Sequence, residues 1–191
     1  NTSYSASNNI ITFNGTSAYA NGNIIAFTAN KSYTGDFYSN VSDNVISLNR
    51  FDMQGFYIAS SDNLSSNINV INNTVDSYGY GNTLAVQAIG NRGSADSTIN
   101  VTDNHLTSIY GNTLTLNMSD NANSHSYLNI ERNDISIIDV NSPDQTGYTI
   151  ELVAANNNNI DINVNENSIH NNGLGHYGLT VAVDGTMTAS V

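Results

Sequence analysis

Residues 162–183 read INVNENSIHNNGLGHYGLTVAV, and their first eight carry a pattern found five more times in the chain. The other copies are YSASNNII (4–11), SNVSDNVI (39–46), INVINNTV (68–75), INVTDNHL (99–106) and LNIERNDI (128–135). Their common form is apolar-x-apolar-x-x-Asn-x-apolar. A second segment follows each copy, of the form Gly-x-x-apolar-x-apolar: GNIIAF from Gly22, GFYIAS from Gly55, GNTLAV from Gly81, GNTLTL from Gly111, GYTIEL from Gly147 and GLTVAV from Gly178. The two segments alternate from residue 4 to residue 183, and such a fixed period is the signature of a stacked-repeat architecture.

Apolar residues at spacing two put one side of each segment in a core and the other in solvent, as a half-buried strand requires. Each repeat supplies three such pieces: the I-N-V segment, the residues just after the aligned asparagine, and the Gly-led segment. A chain with one proline and no matched Asn-Gly hairpins pairs each repeat in parallel with the next. The expected fold is therefore an all-β, right-handed parallel β-helix solenoid of about six coils with three short strands per coil. Residues 1–191 read as a single β-helix domain, with repeats near 4–38, 39–67, 68–98, 99–127, 128–161 and 162–191. The last copy reaches Val191 before any further I-N-V strand, and no amphipathic helix covers either end. Exposed core and strand edges would result, so the segment is expected to be a fragment of a longer solenoid.

On these residues the sequence resembles the right-handed parallel β-helix repeat family, over nearly its whole length, and is most like the passenger segments of autotransporter adhesins. The resemblance implies that the aligned asparagine sits in a tight bend and stacks on its counterpart in the next coil. The implied structural column is Asn9, Asn44, Asn73, Asn104, Asn133 and Asn167. Asparagine suits such a bend, because it tolerates left-handed backbone and its amide both donates and accepts.

Composition narrows the partners. Hydrophobic residues make up 39% of the chain but charged ones only 10%, so the surface must be neutral and polar, and 35 asparagines supply much of it. Lys31, Arg50, Arg92 and Arg132 are the only strong bases against 16 carboxylates, for a formal charge of −12. No basic stripe can neutralise phosphates, so no nucleic acid is expected as partner. No apolar run approaches the ~20 residues that span a bilayer, so direct membrane insertion by this segment is not expected either. The eight N-x-S/T sequons are what this composition yields by chance.

Stacking turns sequence registers into columns. Between the first two apolar residues lie Ser5, Asn40, Asn69, Asn100, Asn129 and Asn163, a second amide column facing solvent. Just before the bend asparagine come Asn8, Asp43, Asn72, Asp103, Arg132 and Glu166, where Arg132 falls between two carboxylates as a surface ion pair rather than a catalytic trio. On the Gly-led strand the outward positions are read as Ile24, Tyr57, Thr83, Thr113, Thr149 and Thr180, then Ala26, Ala59, Ala85, Thr115, Glu151 and Ala182. The connection into this strand varies from seven positions (Asn104 to Gly111) to fourteen (Asn133 to Gly147), and aromatics gather beside it at Tyr78, Tyr80, Tyr110, Tyr148 and Tyr177, with Phe51 and Phe56 earlier. Function in a solenoid concentrates in such variable loops. The candidate binding set is thus Tyr57, Tyr80, Thr83, Tyr110, Thr113, Tyr148, Thr149, Tyr177 and Thr180.

No catalytic cluster emerges. Enzymes of the resembled fold use basic groups and calcium on acidic sugars, or closely spaced carboxylates on successive strands; two carboxyls ~5–10 Å apart are needed to cleave a glycosidic bond. The acids nearest to that requirement, Asp134, Asp139 and Glu151, with the pair Asp76 and Asp103, lie on other segments or stand alone. His170, His176 and Glu166 lack a further positioned ligand for a metal, and no G-x-S-x-G elbow occurs. A Thr-x-Thr face of the ice-binding kind is met only at Thr113 and Thr115. No cofactor is expected beyond adventitious calcium on Asp/Asn-rich turns. The expected function is a non-enzymatic, extracellular surface module, on a bacterial cell or secreted, whose partner is a host surface protein, a glycan or another copy of itself. The alternative is a polysaccharide lyase or glycoside hydrolase of the β-helix type.

Overall fold

The computed structural model describes residues 2–13, 22–30, 35–48, 53–61, 65–77, 83–89, 96–109, 112–119, 125–138, 148–172 and 177–190. Among the described residues there is no helix. The chain lays down strands in threes: β1 (Thr2–Ser7), β2 (Ile10–Phe13) and β3 (Gly22–Asn30), then β4 (Phe37–Ser42), β5 (Val45–Leu48) and β6 (Met53–Ser61). The next two turns give β7 (Ser66–Ile71), β8 (Thr74–Ser77) and β9 (Leu84–Ile89), then β10 (Ser97–Thr102), β11 (His105–Ser108) and β12 (Leu114–Ser119). Last come β13 (His125–Glu131), β14 (Asp134–Ile137), the long β15 (Tyr148–Asn165), β16 (Ser168–Asn171) and β17 (Tyr177–Ser190).

Among the described residues every strand pair is parallel, between one turn and the next, so the fold is a parallel β-solenoid. The second strands stack as β2-β5-β8-β11-β14-β16. The first strands stack as β1-β4-β7-β10-β13 and continue onto Asn159–Asn165 of β15, while the third strands run β3-β6-β9-β12 and end on the early part of the same strand. β15 thus crosses from one sheet to another without a break. β17 does the same: Leu179–Val183 lie beside Ile150–Ala154, and Met187–Ser190 lie beside Ile160–Asn163. Met187–Ser190 therefore lie beside a first strand, with Ala189 opposite Ile162 and Ser190 opposite Asn163.

Alternation decides which side chains enter the bore. In β7 the sequence Ser-Asn-Ile-Asn-Val-Ile buries Ser66, Ile68 and Val70 and turns the others out. Across turns this builds apolar columns such as Ile68, Ile99, Leu128 and Ile162 in the first sheet, and Ile46, Val75, Leu106 and Ile135 in the second. Each such side chain contributes about 1.5–3 kcal/mol by leaving water. In the first turn Tyr4 takes the inward register opposite Ser39, and its ring stacks on Phe27 at 5.2 Å and leans on Phe37 at 6.0 Å.

The bend between first and second strands holds the asparagine column as expected. Nδ2 of each asparagine donates to Oδ1 of the next along Asn9, Asn44, Asn73, Asn104, Asn133 and Asn167, at 2.8–3.0 Å. The backbone N–H of each donor residue adds a bond to the same oxygen at 2.9–3.1 Å. The left-handed residue, however, is the one before it. Asn8, Asp43, Asn72, Asp103, Arg132 and Glu166 have φ between 52° and 58°. The expectation that the ladder asparagine itself carries this backbone is therefore corrected. The ladder residue must aim its amide into the corner, and the reversal of direction falls on the exposed residue ahead of it. Four of the six are Asn or Asp, which accept this conformation at little cost; Arg132 and Glu166 do not.

Candidate functional site

Buried apolar side chains, not glycines, set the register of the third sheet. Ile25 pairs with Phe56, Phe56 with Leu84, Leu84 with Leu114, Leu114 with Ile150 and Ile150 with Leu179. Aligning the glycines would set Ile58 opposite Leu84, two residues from the observed pairing with Phe56, so packing overrides the alignment on glycine. Gly55 then falls level with Thr83, and a Cβ there would sit 2.6 Å from Val75 Cγ1 and 2.8 Å from the Thr83 carbonyl oxygen.

The outward register accordingly includes Ala26, Tyr57, Thr115, Glu151 and Thr180, followed by Thr28, Ala59, Asn117, Val153 and Ala182. This corrects the sequence-based face. Thr83, Thr113 and Thr149 are fully buried, and Ile24 packs partly against the core. Thr113 Oγ1 lies 2.7 Å from Ser108 Oγ and donates to the Ser136 carbonyl at 3.1 Å, and Thr83 Oγ1 donates to the Thr107 carbonyl at 3.4 Å. These hydroxyls line the inner corner between sheets and are closed to a ligand. Of the candidate set, Tyr57 and Thr180 stay half-exposed on the third sheet. Tyr148 and Tyr177 stand opposite one another by backbone register on β15 and β17. Tyr78, Tyr80 and Tyr110, with Phe51, Asp139 and His176, lie outside the described residues.

The acids are dispersed over the surface. Glu151 projects from the third sheet, where its Oε2 accepts from Asn112 Nδ2 at 2.9 Å and from Thr115 Oγ1 at 3.5 Å. Asp134 projects from the second sheet, with Oδ2 3.0 Å from His105 Nδ1 and Oδ1 3.9 Å from His170 Nε2, which also meets Ser168 Oγ at 2.8 Å. Asp103 occupies the bend, gripped by Arg132 through Nε at 2.8 Å and Nη2 at 3.0 Å, while Arg132 Nη1 reaches Glu131 at 2.9 Å. The Arg132 guanidinium holds the Asp103 carboxyl below the usual carboxylate range, chiefly by these hydrogen bonds, and Arg132 is itself raised. Among the described residues no three His, Asp or Glu side chains converge as metal ligands would.

The first sheet shows a feature that the reading of loops and the Gly-led strand passed over. Its central outward column forms a hydrogen-bonded amide row: Asn129 Nδ2 donates to Asn100 Oδ1 and Asn100 Nδ2 to Asn69 Oδ1, both at 2.8 Å, and Asn69 Nδ2 to Asn67 Oδ1 at 3.1 Å. Its polarity is opposite to that of the corner ladder. The neighbouring outward column carries Tyr38, Asn67, Thr98, Tyr127 and Asp161. Tyr127 is stacked on His125 with ring centroids 4.5 Å apart and planes within 3°. Asn159 Nδ2 lies at hydrogen-bond distance, 2.9 Å, from His125 Nδ1, and Asp161 Oδ2 lies 3.0 Å from Nε2 without making a hydrogen bond to it. The sequence signal was available: it is the residue two places before each asparagine of the solvent-facing column.

Comparison with family models, with characterised proteins and with solved structures finds no match. The parallel solenoid and its asparagine ladder thus rest on the strand pairing and hydrogen bonds themselves.

Proposed function

We propose that this chain is a non-enzymatic, extracellular surface-binding module of the adhesin kind, carried on a bacterial cell or secreted. It binds a host surface protein, a glycan or a further copy of itself through an outer face of the helix and the bordering loops. The observation that carries this reading is the dispersal of its ionisable groups. Glu151, Asp134 and Asp103 stand on the third sheet, the second sheet and the bend, each engaged by its own neighbours. Between them lie extended faces of amides, hydroxyls and small apolar groups, which suit contact over area better than chemistry at a point. The likeness to autotransporter passengers is part of the same proposal.

Solid-phase binding and cell-aggregation assays test it. The intact chain is expected to bind a surface or promote aggregation above a variant with scrambled connecting loops, and equality of the two overturns the reading. The competing reading, a polysaccharide lyase or glycoside hydrolase, requires product release from a glycan panel that Glu151→Gln abolishes.

A further inference from the structure

The outer face of the first sheet combines three properties that no other described face shares. Its floor is the row Asn69, Asn100 and Asn129. An amide has two N–H donors and two acceptor lone pairs, and Asn100 uses one of each along the row. One donor and one acceptor per rung are left for the outward side, repeated at the strand spacing of ~4.8 Å. Tyr38 and Tyr127 share the adjoining column three rungs apart, or about 14 Å at that spacing. Tyr38 is 42% exposed. Tyr127 stands between His125, which backs its ring, and the Asn129 position, which opens onto the row.

The amide row itself is uncharged, and the carboxylates beside it are engaged: Asp36 accepts from Ser65 Oγ at 2.9 Å and from the Tyr38 hydroxyl at 3.5 Å, and Asp96 accepts the His125 backbone N–H at 3.2 Å. Glu131 lies at its far edge and is bound by Arg132 and Asn163, and Asp161 lies one rung beyond Tyr127 against His125. In a chain of formal charge −12 an acidic polymer is repelled, whereas a neutral one meets no penalty here. A protein partner would call for a desolvated apolar centre, but the floor of this track is amide.

We propose that this face is a binding track for an uncharged, extended polysaccharide laid along the solenoid axis. Its hydroxyls pair with Asn69, Asn100 and Asn129, and its sugar rings pack against Tyr38 and Tyr127. An extended, equatorially linked hexose chain advances about 5 Å per residue, close to the rung spacing, so successive sugars meet successive amides without strain. Aromatic rings offer their faces to the C–H side of a pyranose while amides take its vicinal hydroxyls. This rests on the surface-module reading and gives it a face and a ligand class.

The test is titration calorimetry of the whole chain with a neutral β-1,4-linked mannohexaose and cellohexaose, against a polygalacturonate oligomer of equal length. Binding of a neutral hexamer is expected, with the acidic oligomer silent. Tyr127→Ala and Asn100→Ala are each expected to weaken it about tenfold, with folding followed by circular dichroism, and Thr74→Ala on the second sheet should leave it unchanged. If Asn100→Ala loosens the fold, Tyr38→Ala on the same track decides in its place. Neutral-glycan binding that survives the track variants but is lost in Tyr57→Ala overturns the track and leaves the surface module standing. So does binding only to protein or to itself. Absence of every kind of binding overturns both.

Discussion

Asn73 Nδ2 donates to Asn104 Oδ1 at 3.0 Å in a corner where neither residue is more than 2% exposed. The same oxygen accepts the Asn73 backbone N–H at 2.9 Å, and the Asn104 amide donates back to the carbonyls of Val70 and Thr102 at 2.9 Å. One side chain thus satisfies donors and acceptors from three successive turns. A buried donor left without its acceptor costs about 1–3 kcal/mol. Asn104→Ala strands two donors of Asn73 and the carbonyls of Val70 and Thr102, takes one of its two donors from Asn133 Oδ1 in the next turn, and is expected to lower stability by about 3 kcal/mol or more, seen as a fall in urea midpoint. Asn9→Ala, at the exposed first rung, should cost well under half as much. Equal losses would show that the ladder does not act through burial.

The left-handed bend gives a prediction of opposite sign. Glu166 holds φ of 55°, a conformation that costs a side chain such as glutamate roughly 1 kcal/mol and asparagine less. Glu166→Asn is therefore expected to stabilise the chain by about 0.5–1 kcal/mol, measured as a higher thermal midpoint. Arg132→Asn relieves the same strain at φ of 52° but gives up the bonds to Asp103 and Glu131, so its gain should be smaller or absent.

The Arg132–Asp103 pair predicts a pH effect. The folded carboxyl of Asp103 titrates below its unfolded value because Arg132 hydrogen-bonds it. Its contribution is therefore complete above the unfolded carboxylate range and is lost as pH falls through the folded value. Carboxyl carbon resonances followed by NMR should show Asp103 titrating below the ordinary aspartate range, and Arg132→Ala should return it upward. An unchanged midpoint in the variant would remove the pair as the cause.

Gly55 predicts a steric coupling between sheets. A methyl at this position meets Val75 Cγ1 at 2.6 Å and the Thr83 carbonyl at 2.8 Å. Overpacking of this kind costs about 1–3 kcal/mol. Gly55→Ala should destabilise in that range. Val75→Ala in the same chain should recover part of the loss, since it removes the Cγ1 contact and leaves the carbonyl one. A strictly additive double variant would place the strain elsewhere.

Much of the fold was legible in the chain because stacking forces chemistry to repeat. Ile68, Ile99, Leu128 and Ile162 occupy one column since each must fill the same slice of the bore, and Asn44, Asn73, Asn104 and Asn133 recur since each corner has the same orphan groups to satisfy. Those positions determine the all-β character, the parallel pairing and the ladder with no structure in hand. Tertiary packing alone decided the rest. Thr83, Thr113 and Thr149 look like exposed strand residues after a glycine, but each stands at the inner corner directly before the buried Leu84, Leu114 or Ile150, and there its side chain is closed off from solvent. The left-handed residue could not be told from its neighbour, because Asn8-Asn9 and Asn72-Asn73 offer two asparagines to one bend. Tyr38 and Tyr127, 89 residues apart in the chain, each stand two places before a solvent-facing asparagine, but they face solvent side by side on one column only because three turns of backbone return each strand to the same face.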